Sequence, residues 1–156
     1  MKYSRLTKEQ FEELHQEFIN FLASQSITAE EWQDIKKNKP QVAEDELDVF
    51  SDLIWEGVLT KVDYLEHISP QHIFLFRVDG NTLNLISIQL ENKLVDLTTS
   101  KGYQWLQENL MDDAVNLYSS SKTLKADKNA DLFALIQQGA VITKGELYEW
   151  FAQFVS

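Results

Sequence analysis

The sequence lacks cysteine altogether, and it contains only two prolines and five glycines in 156 residues. Without cysteine there is no disulfide, no thiolate metal site and no cysteine nucleophile, which fits a reducing compartment. The glycines, at positions 57, 80, 102, 139 and 145, do not have the spacing of a phosphate-binding loop. The composition therefore excludes several common kinds of catalytic and nucleotide-binding site.

Long apolar runs are also missing. No stretch approaches the roughly 20 apolar residues of a membrane-spanning helix. The first ten residues turn polar at once and lead into amphipathic spacing, unlike the unbroken apolar core of a secretory signal. We therefore expect a cytoplasmic protein without a membrane partner. Its length fits one domain, residues 1–156, large enough to bury a real core.

Basic residues are scarce, since 14 Lys and Arg stand against 25 Asp and Glu, a net charge of −11. Residues 1–60 carry 13 acids and 6 bases, and so contribute −7 of that charge. Binding to a phosphate backbone depends on Lys and Arg that displace counterions. The charge thus predicts no nucleic-acid partner, although an acidic inhibitor that mimics nucleic acid stays open as an alternative.

Residues 72–88 are the stretch around which the fold is organised. Two β-rich runs flank Asp79-Gly80, a sequence typical of a tight hairpin turn because Gly tolerates positive φ. The loop has either two residues, Asp79-Gly80, or the four from Asp79 to Thr82, and both give the same side-chain parity. One face then carries apolar residues that form a core surface, whereas the other is polar only near the turn and needs cover from a helix or from a second copy of the chain.

Helices are predicted on both sides of this hairpin. Three Thr-x-x-Glu/Gln pairs have the spacing of a capping box, in which a hydroxyl accepts an unpaired backbone N–H and the other side chain reaches back: Thr7 with Gln10, Thr28 with Glu31, and Thr143 with Glu146. The first helix carries a phenylalanine stripe that we expect to lie against the sheet. A longer helix is predicted over residues 40–59, with Val58 on its apolar side.

The remaining strand predictions complete the fold class. Residues 61–68 read as a first strand, and residues 114–120 form either an edge strand, which we favour, or a helix extension. Residues 119–129 have few apolar side chains and are predicted to be a mobile loop. We predict an α+β fold: a mostly antiparallel sheet of three or four strands, built on the hairpin and packed by N-terminal and C-terminal helices.

The predicted helix 40–59 carries the most unusual feature of the sequence. Asp45, Asp48, Asp52 and Glu56 form a stripe at spacings of three and four, with no base between positions 39 and 61. Such like charges repel by roughly 0.2 to 0.5 kcal/mol per pair. The ordinary interpretation is a solvated face that keeps an acidic protein soluble. The functional interpretation is a docking surface for a basic protein, where carboxylates speed encounter and select register.

Two weaker patterns bear on catalysis. Glu12 and His15 have the Glu-x-x-His spacing of di-iron bundles, but a second copy is absent, which favours an ordinary boundary histidine. The residues around the Ser69-Pro70 turn include four candidate metal ligands: Asp63, Glu66, His67 and His72. Strand alternation places Glu66 and His67 on opposite faces, so a structural role is the better interpretation.

Three segments carry a family resemblance: MKYSRLTKEQF at residues 1–11, ELDVFSDLIWEGVL at 46–59 and QGAVITKGELY at 138–148. Together they resemble a family of short proteins from Bacteroidota known as a domain of unknown function. The resemblance spans almost the whole chain, and none of these segments is a catalytic signature. It implies a bacterial cytoplasmic setting and assigns no activity, cofactor or site residue.

The function that these patterns favour is that of a non-catalytic interaction or adaptor protein that presents an acidic helix surface. Its site residues would be Asp45, Asp48, Asp52 and Glu56. The expected partner is another protein of basic character, with a homodimer left open, and no cofactor or resident metal is expected. The alternatives are an enzyme that uses carboxylates with a divalent metal, and the nucleic-acid mimic.

Overall fold

The computed structural model describes residues 1–155, which divide into two compact units. The N-terminal unit is Met1–Thr60, and the C-terminal unit begins at Lys61. The first is helical and the second contains the sheet. The predicted α+β class, with an antiparallel sheet that includes the hairpin, is confirmed.

The N-terminal unit consists of four helices: α1 Lys8–Glu13, α2 His15–Ser24, α3 Ala29–Asn38 and α4 Pro40–Thr60. The predicted capping box of Thr7 and Gln10 opens α1, and Thr28 caps α3 through the N–H of Glu31. The first predicted helix is interrupted at Leu14, which lies outside helical geometry with φ −100° and ψ 24°.

The phenylalanine stripe of α1 and α2 packs around Phe50 of α4, which is only 2% exposed. The ring of Phe50 contacts those of Phe11, Phe18 and Phe21 at centroid distances of 5.9, 5.1 and 5.3 Å. Phe18 also meets Trp32 of α3 edge-on at 5.3 Å. Offset and edge-to-face ring contacts are favourable beyond the area they bury. These rings therefore join all four helices of the unit.

The C-terminal unit contains five antiparallel strands and three helices. In chain order these are β1 Tyr64–Ser69, β2 His72–Asp79, β3 Thr82–Leu90, α5 Ser100–Glu108, β4 Val115–Thr123, α6 Lys128–Gln137, β5 Val141–Thr143 and α7 Glu146–Ala152. The strand order is β4-β3-β2-β1-β5. The expectation of three or four strands was too low, because the three-residue β5 pairs with β1 and adds a fifth strand at that edge.

The turn consists of Gly80 and Asn81, so it is neither of the two predicted loops, although the register is the one that the four-residue loop gives. Asp79 pairs with Thr82 and Val78 with Leu83, and Gly80 has a positive φ of 59° at the turn. The register gives the sheet two faces. Face A carries Phe74, Phe76 and Leu85, and face B carries a wholly buried apolar set: Ile73, Leu75, Ile86 and Ile88.

Face B is covered by helices of the same unit. Its four buried residues pack with Leu106 of α5 and Phe151 of α7, each of which has no exposed surface. Burial of a large apolar side chain contributes about 1.5 to 3 kcal/mol. Face B is the face that the sequence predicted to be polar near the turn and to need cover elsewhere. In the structure it is the principal core surface of the C-terminal unit.

Three local predictions were wrong. Residues 119–123 of the predicted loop belong to β4, which confirms the favoured edge strand, and residues 128–129 belong to α6. The last helix is capped by the left-handed Gly145, whereas the Thr143 hydroxyl accepts the N–H of Gly145. Val58 is 41% exposed, whereas Leu59 beside it is wholly buried, so Val58 does not belong to the buried side of α4.

Candidate interaction surface on helix α4

The acidic side of α4 is partly covered by residues 1–6, the N-terminal arm. The backbone N–H groups of Lys2 and Tyr3 donate to the two carboxylate oxygens of Asp52, at 2.7 and 2.8 Å. The Tyr3 hydroxyl donates to Glu56, and the Lys2 ammonium lies 3.6 Å from the same carboxylate. Partial burial and the bond to Glu56 raise the pKa of Tyr3. Asp52 and Glu56 thus hold the N-terminal arm against α4 through hydrogen bonds and an ion pair.

Arg5 binds the next acids toward the start of α4. Its Nε and Nη2 atoms lie 2.6 and 2.5 Å from Oδ1 of Asp48. Its Nη1 atom lies 2.8 Å from Glu44. A guanidinium suits this role because its donors are held in a rigid fork. The missing base on the acidic stripe therefore comes from a segment more than 40 residues earlier in the chain.

A buried hydroxyl fixes the end of the arm. Ser51 is wholly buried on α4, where its Oγ accepts the N–H of Leu6 at 3.1 Å and donates to the carbonyl of Leu47 at 2.7 Å. The indole N–H of Trp55 donates to the Ser4 carbonyl at 3.1 Å. The arm is consequently anchored by neutral hydrogen bonds as well as by charge.

The four predicted site residues have different surroundings as a result. Asp48, Asp52 and Glu56 are bound by the arm. Asp45 is exposed and accepts a hydrogen bond from Gln41 at 3.0 Å. The structure does not place all four on one uncovered surface, and whether any of them binds a partner stays a prediction.

A line of exposed apolar residues lies on the outer side of α4, and sequence reasoning missed it. Val42, Val49 and Leu53 are 41%, 51% and 56% exposed. Their spacings of seven and four residues place them on one line along the helix, here called the apolar ridge. Asp45 and Glu46 flank it, and Glu46 accepts a hydrogen bond from Gln25 at 2.8 Å. Within residues 1–155 neither of these two carboxylates contacts a Lys or Arg.

The candidate metal ligands of the C-terminal unit do not converge. Glu66 belongs to face B, and His67 and His72 belong to face A, as strand alternation predicts. Across the described part of the chain there is no group of three His, Asp or Glu side chains that could hold a metal ion. The enzyme that uses carboxylates and a metal stays a prediction without a site in this structure.

His72 contacts Ser87 and not the other candidate metal ligands with which the sequence grouped it. Its Nε2 atom lies 2.8 Å from the hydroxyl of Ser87, and its ring lies 3.9 Å from that of Phe74. Burial lowers the pKa of His72, and the nearby His67 lowers it further. Among residues 1–155 no carboxylate hydrogen bonds to this imidazole, so the pair lacks the third group that orients a catalytic base.

The other sequence pattern, Glu12 with His15, lies at the rim of a groove in the N-terminal unit. The groove has a volume of about 480 Å³, and Phe11, Phe18 and Trp32 are among the residues that line it. His15 itself is exposed. This placement agrees with the ordinary interpretation of a boundary histidine.

None of the described helices combines the length and the apolar character that a membrane crossing needs.

Comparison with known proteins shows the family to which the chain belongs. No curated protein and no solved structure matches the chain. One family model matches residues 1–156, the full length of the chain. The chain belongs to DUF6495, a family of unknown function.

Proposed function

We propose that this DUF6495 member is a non-catalytic protein-interaction protein of the bacterial cytoplasm, as its resemblance to a Bacteroidota family implies, and that it binds its partner through the outer side of α4. The observation that carries the proposal is the apolar ridge, whose three side chains are 41% to 56% exposed on one line. An aligned apolar strip on a helix surface marks an interaction site more often than isolated exposed residues do.

The charge beside the ridge defines the chemistry of the partner. Asp45 and Glu46 flank the ridge and hydrogen bond only to glutamine amides among the described residues. Carboxylates so placed attract a basic surface and repel an acidic one. A helix or strand that presents apolar side chains between Lys or Arg residues fits both features.

The N-terminal arm shifts the docking surface away from the predicted stripe. The N-terminal arm binds Asp48, Asp52 and Glu56. Reversal of their charges would therefore disturb the contacts of the arm with α4 as well as any binding of a partner. The ridge with Asp45 and Glu46 can bind a partner while the arm stays in place. We therefore assign docking to the ridge and the arm to stabilisation of α4.

Quantitative affinity purification tests the proposal by comparing the wild-type chain with three variants. Val49→Ser with Leu53→Ser removes the apolar contacts, and Asp45→Asn with Glu46→Gln removes the charge. Leu94→Ser is the matched control, because Leu94 is 96% exposed and lies outside α4. We expect one protein to be recovered by the wild type and the control, to be lost with the Val49→Ser, Leu53→Ser variant, and to be recovered in smaller amount with the Asp45→Asn, Glu46→Gln variant. Equal recovery by all four proteins would overturn the proposal.

A salt titration separates the two contributions to binding. If carboxylates steer the partner, association slows as salt screens them over about 8 to 10 Å at 0.1 to 0.15 M ionic strength. The Asp45→Asn, Glu46→Gln variant should show a smaller salt effect. An association rate that does not change with salt would contradict a basic partner.

A further inference from the structure

We propose that the partner of α4 is a second copy of this chain, whose N-terminal unit receives the apolar ridge in a groove lined by aromatic rings. The inference rests on the proposed function, because it names the protein that docks on α4. Two exposed features of the N-terminal unit complement each other: an apolar strip flanked by acids and an apolar groove flanked by bases.

The receiving surface lies between α1, α2 and α3. The groove of about 480 Å³ lined by Phe11, Phe18 and Trp32 continues into a second one of about 410 Å³, which shares the last two rings. All three rings are half-buried, and Ile19 in the second part is 42% exposed. The two parts together are here called the aromatic groove. An apolar groove between helices is a common binding site for the apolar face of another helix.

The charges of the N-terminal unit are divided between the two surfaces. Of the 6 bases and 13 acids in residues 1–60, three bases and one acid line the aromatic groove: Arg5, Lys8, Lys36 and Glu12. The arginine is bound to acids of α4, but neither lysine forms an ion pair among residues 1–155. Asp45 and Glu46 beside the ridge also contact no Lys or Arg there. The carboxylates of one copy and the ammonium groups of another are therefore complementary.

The two surfaces also agree in length. The ridge runs from Val42 to Leu53, about 16 Å along the helix axis at about 1.5 Å per residue. α2 borders both parts of the aromatic groove, and its ten residues span about 15 Å. The ridge of one copy can therefore lie beside the whole of α2 in another.

The ridge and the groove lie on opposite sides of α4. Leu47 lines the aromatic groove, and it is about 140° to 160° around the helix from Val42 and Val49, at about 100° per residue. One copy therefore cannot fill its own groove, and a contact between two copies leaves one ridge and one groove open. Such a head-to-tail contact continues to further copies unless it closes into a ring.

The first test is the mass of the wild-type chain in solution. Chains of net charge −11 repel each other, so we expect the association to be weak and to need high protein concentration. Up to about 1 mM the mass should rise from 18.1 kDa past twice that value. A wild type that stays monomeric would overturn the inference and leave α4 to dock another protein.

The second test removes one surface at a time. Lys8→Glu with Lys36→Glu alters the groove, and Val49→Ser with Leu53→Ser alters the ridge. The matched control for the groove is Lys37→Glu with Lys39→Glu, which changes the net charge equally at the end of α3 but lies outside the groove lining. The groove variant should associate at least about tenfold more weakly than this control, and the ridge variant about tenfold more weakly than the wild type, with unchanged circular dichroism.

A mixture of the groove variant and the ridge variant tests the head-to-tail arrangement. It should form a complex of two chains and nothing larger, because only one intact ridge and one intact groove can meet. A mixture without this complex, or a groove variant that associates as tightly as its control, would refute the aromatic groove while α4 could still dock another protein. A ridge variant that self-associates like the wild type would also refute the inference, whereas the proposed function fails only if that variant still recovers its partner in affinity purification.

Discussion

Ser51→Ala removes the hydroxyl that anchors the N-terminal arm to α4. Among residues 1–155, Ser51 Oγ is the only acceptor of the Leu6 N–H, which lies 3.1 Å away at a site where both residues are buried. A buried donor left without an acceptor costs about 1 to 3 kcal/mol. The better helix propensity of alanine returns about 0.5 kcal/mol. We therefore expect a loss of about 0.5 to 2.5 kcal/mol in the free energy of unfolding.

Urea denaturation measures this loss directly, as a lower midpoint at an unchanged slope. Ser24→Ala is the matched control, because the Ser24 hydroxyl donates to a helix carbonyl at 2.6 Å, is exposed and accepts no backbone N–H. Trypsin should also cleave after Arg5 faster in the Ser51 variant than in the control. A Ser51→Ala midpoint equal to that of Ser24→Ala would refute the anchoring role.

Three further predictions concern single side chains. Thr7→Ala should cost about 1 kcal/mol in urea denaturation, because its hydroxyl caps α1 through the N–H of Gln10 at 3.2 Å. Gly102→Ala should lower the thermal midpoint by several degrees or prevent folding, since a Cβ would lie 1.8 Å from the Asp96 carbonyl oxygen. Burial raises the pKa of Glu66, so folding favours its protonated form and that contribution is lost as pH rises through the folded pKa. Glu66→Gln should therefore raise the thermal midpoint at pH 7 but not below the ordinary glutamate pKa of about 4.3, and a gain at both pH values would contradict the assignment.

Local chemistry made much of the fold predictable from the sequence. The hairpin parity followed from the Asp79-Gly80 turn, and the sheet has the two faces that it implies. The capping box of Thr7 and Gln10 was visible because its partners are three residues apart. Such signals need no knowledge of distant contacts, which is why they agree with the structure.

Distant partners explain what the sequence did not show. Arg5 pairs with Asp48 across 43 positions, so the acidic stripe looked uncompensated when its own helix was read alone. β5 has only three residues, too few for a strand pattern to emerge. Gly145 caps α7 through a positive φ of 86°, and the nearby Thr143 has the capping-box spacing without that role.

The apolar ridge was hidden for a similar reason. Val42, Val49 and Leu53 share a helix with true core residues such as Phe50, and spacing alone does not say which apolar line faces inward. Only the packing of the phenylalanine rings on Phe50 distinguishes the two sides of α4. The candidate site therefore depended on tertiary contacts, whereas the helix that carries it did not.

Methyl NMR of the full chain titrated with the protein that affinity purification recovers tests the docking role of α4 most directly. If the ridge is the binding surface, the methyl signals of Val42, Val49 and Leu53 shift or broaden, whereas that of Leu94, exposed on the C-terminal unit, stays in place. Unchanged ridge methyls in a saturated complex would contradict docking on α4.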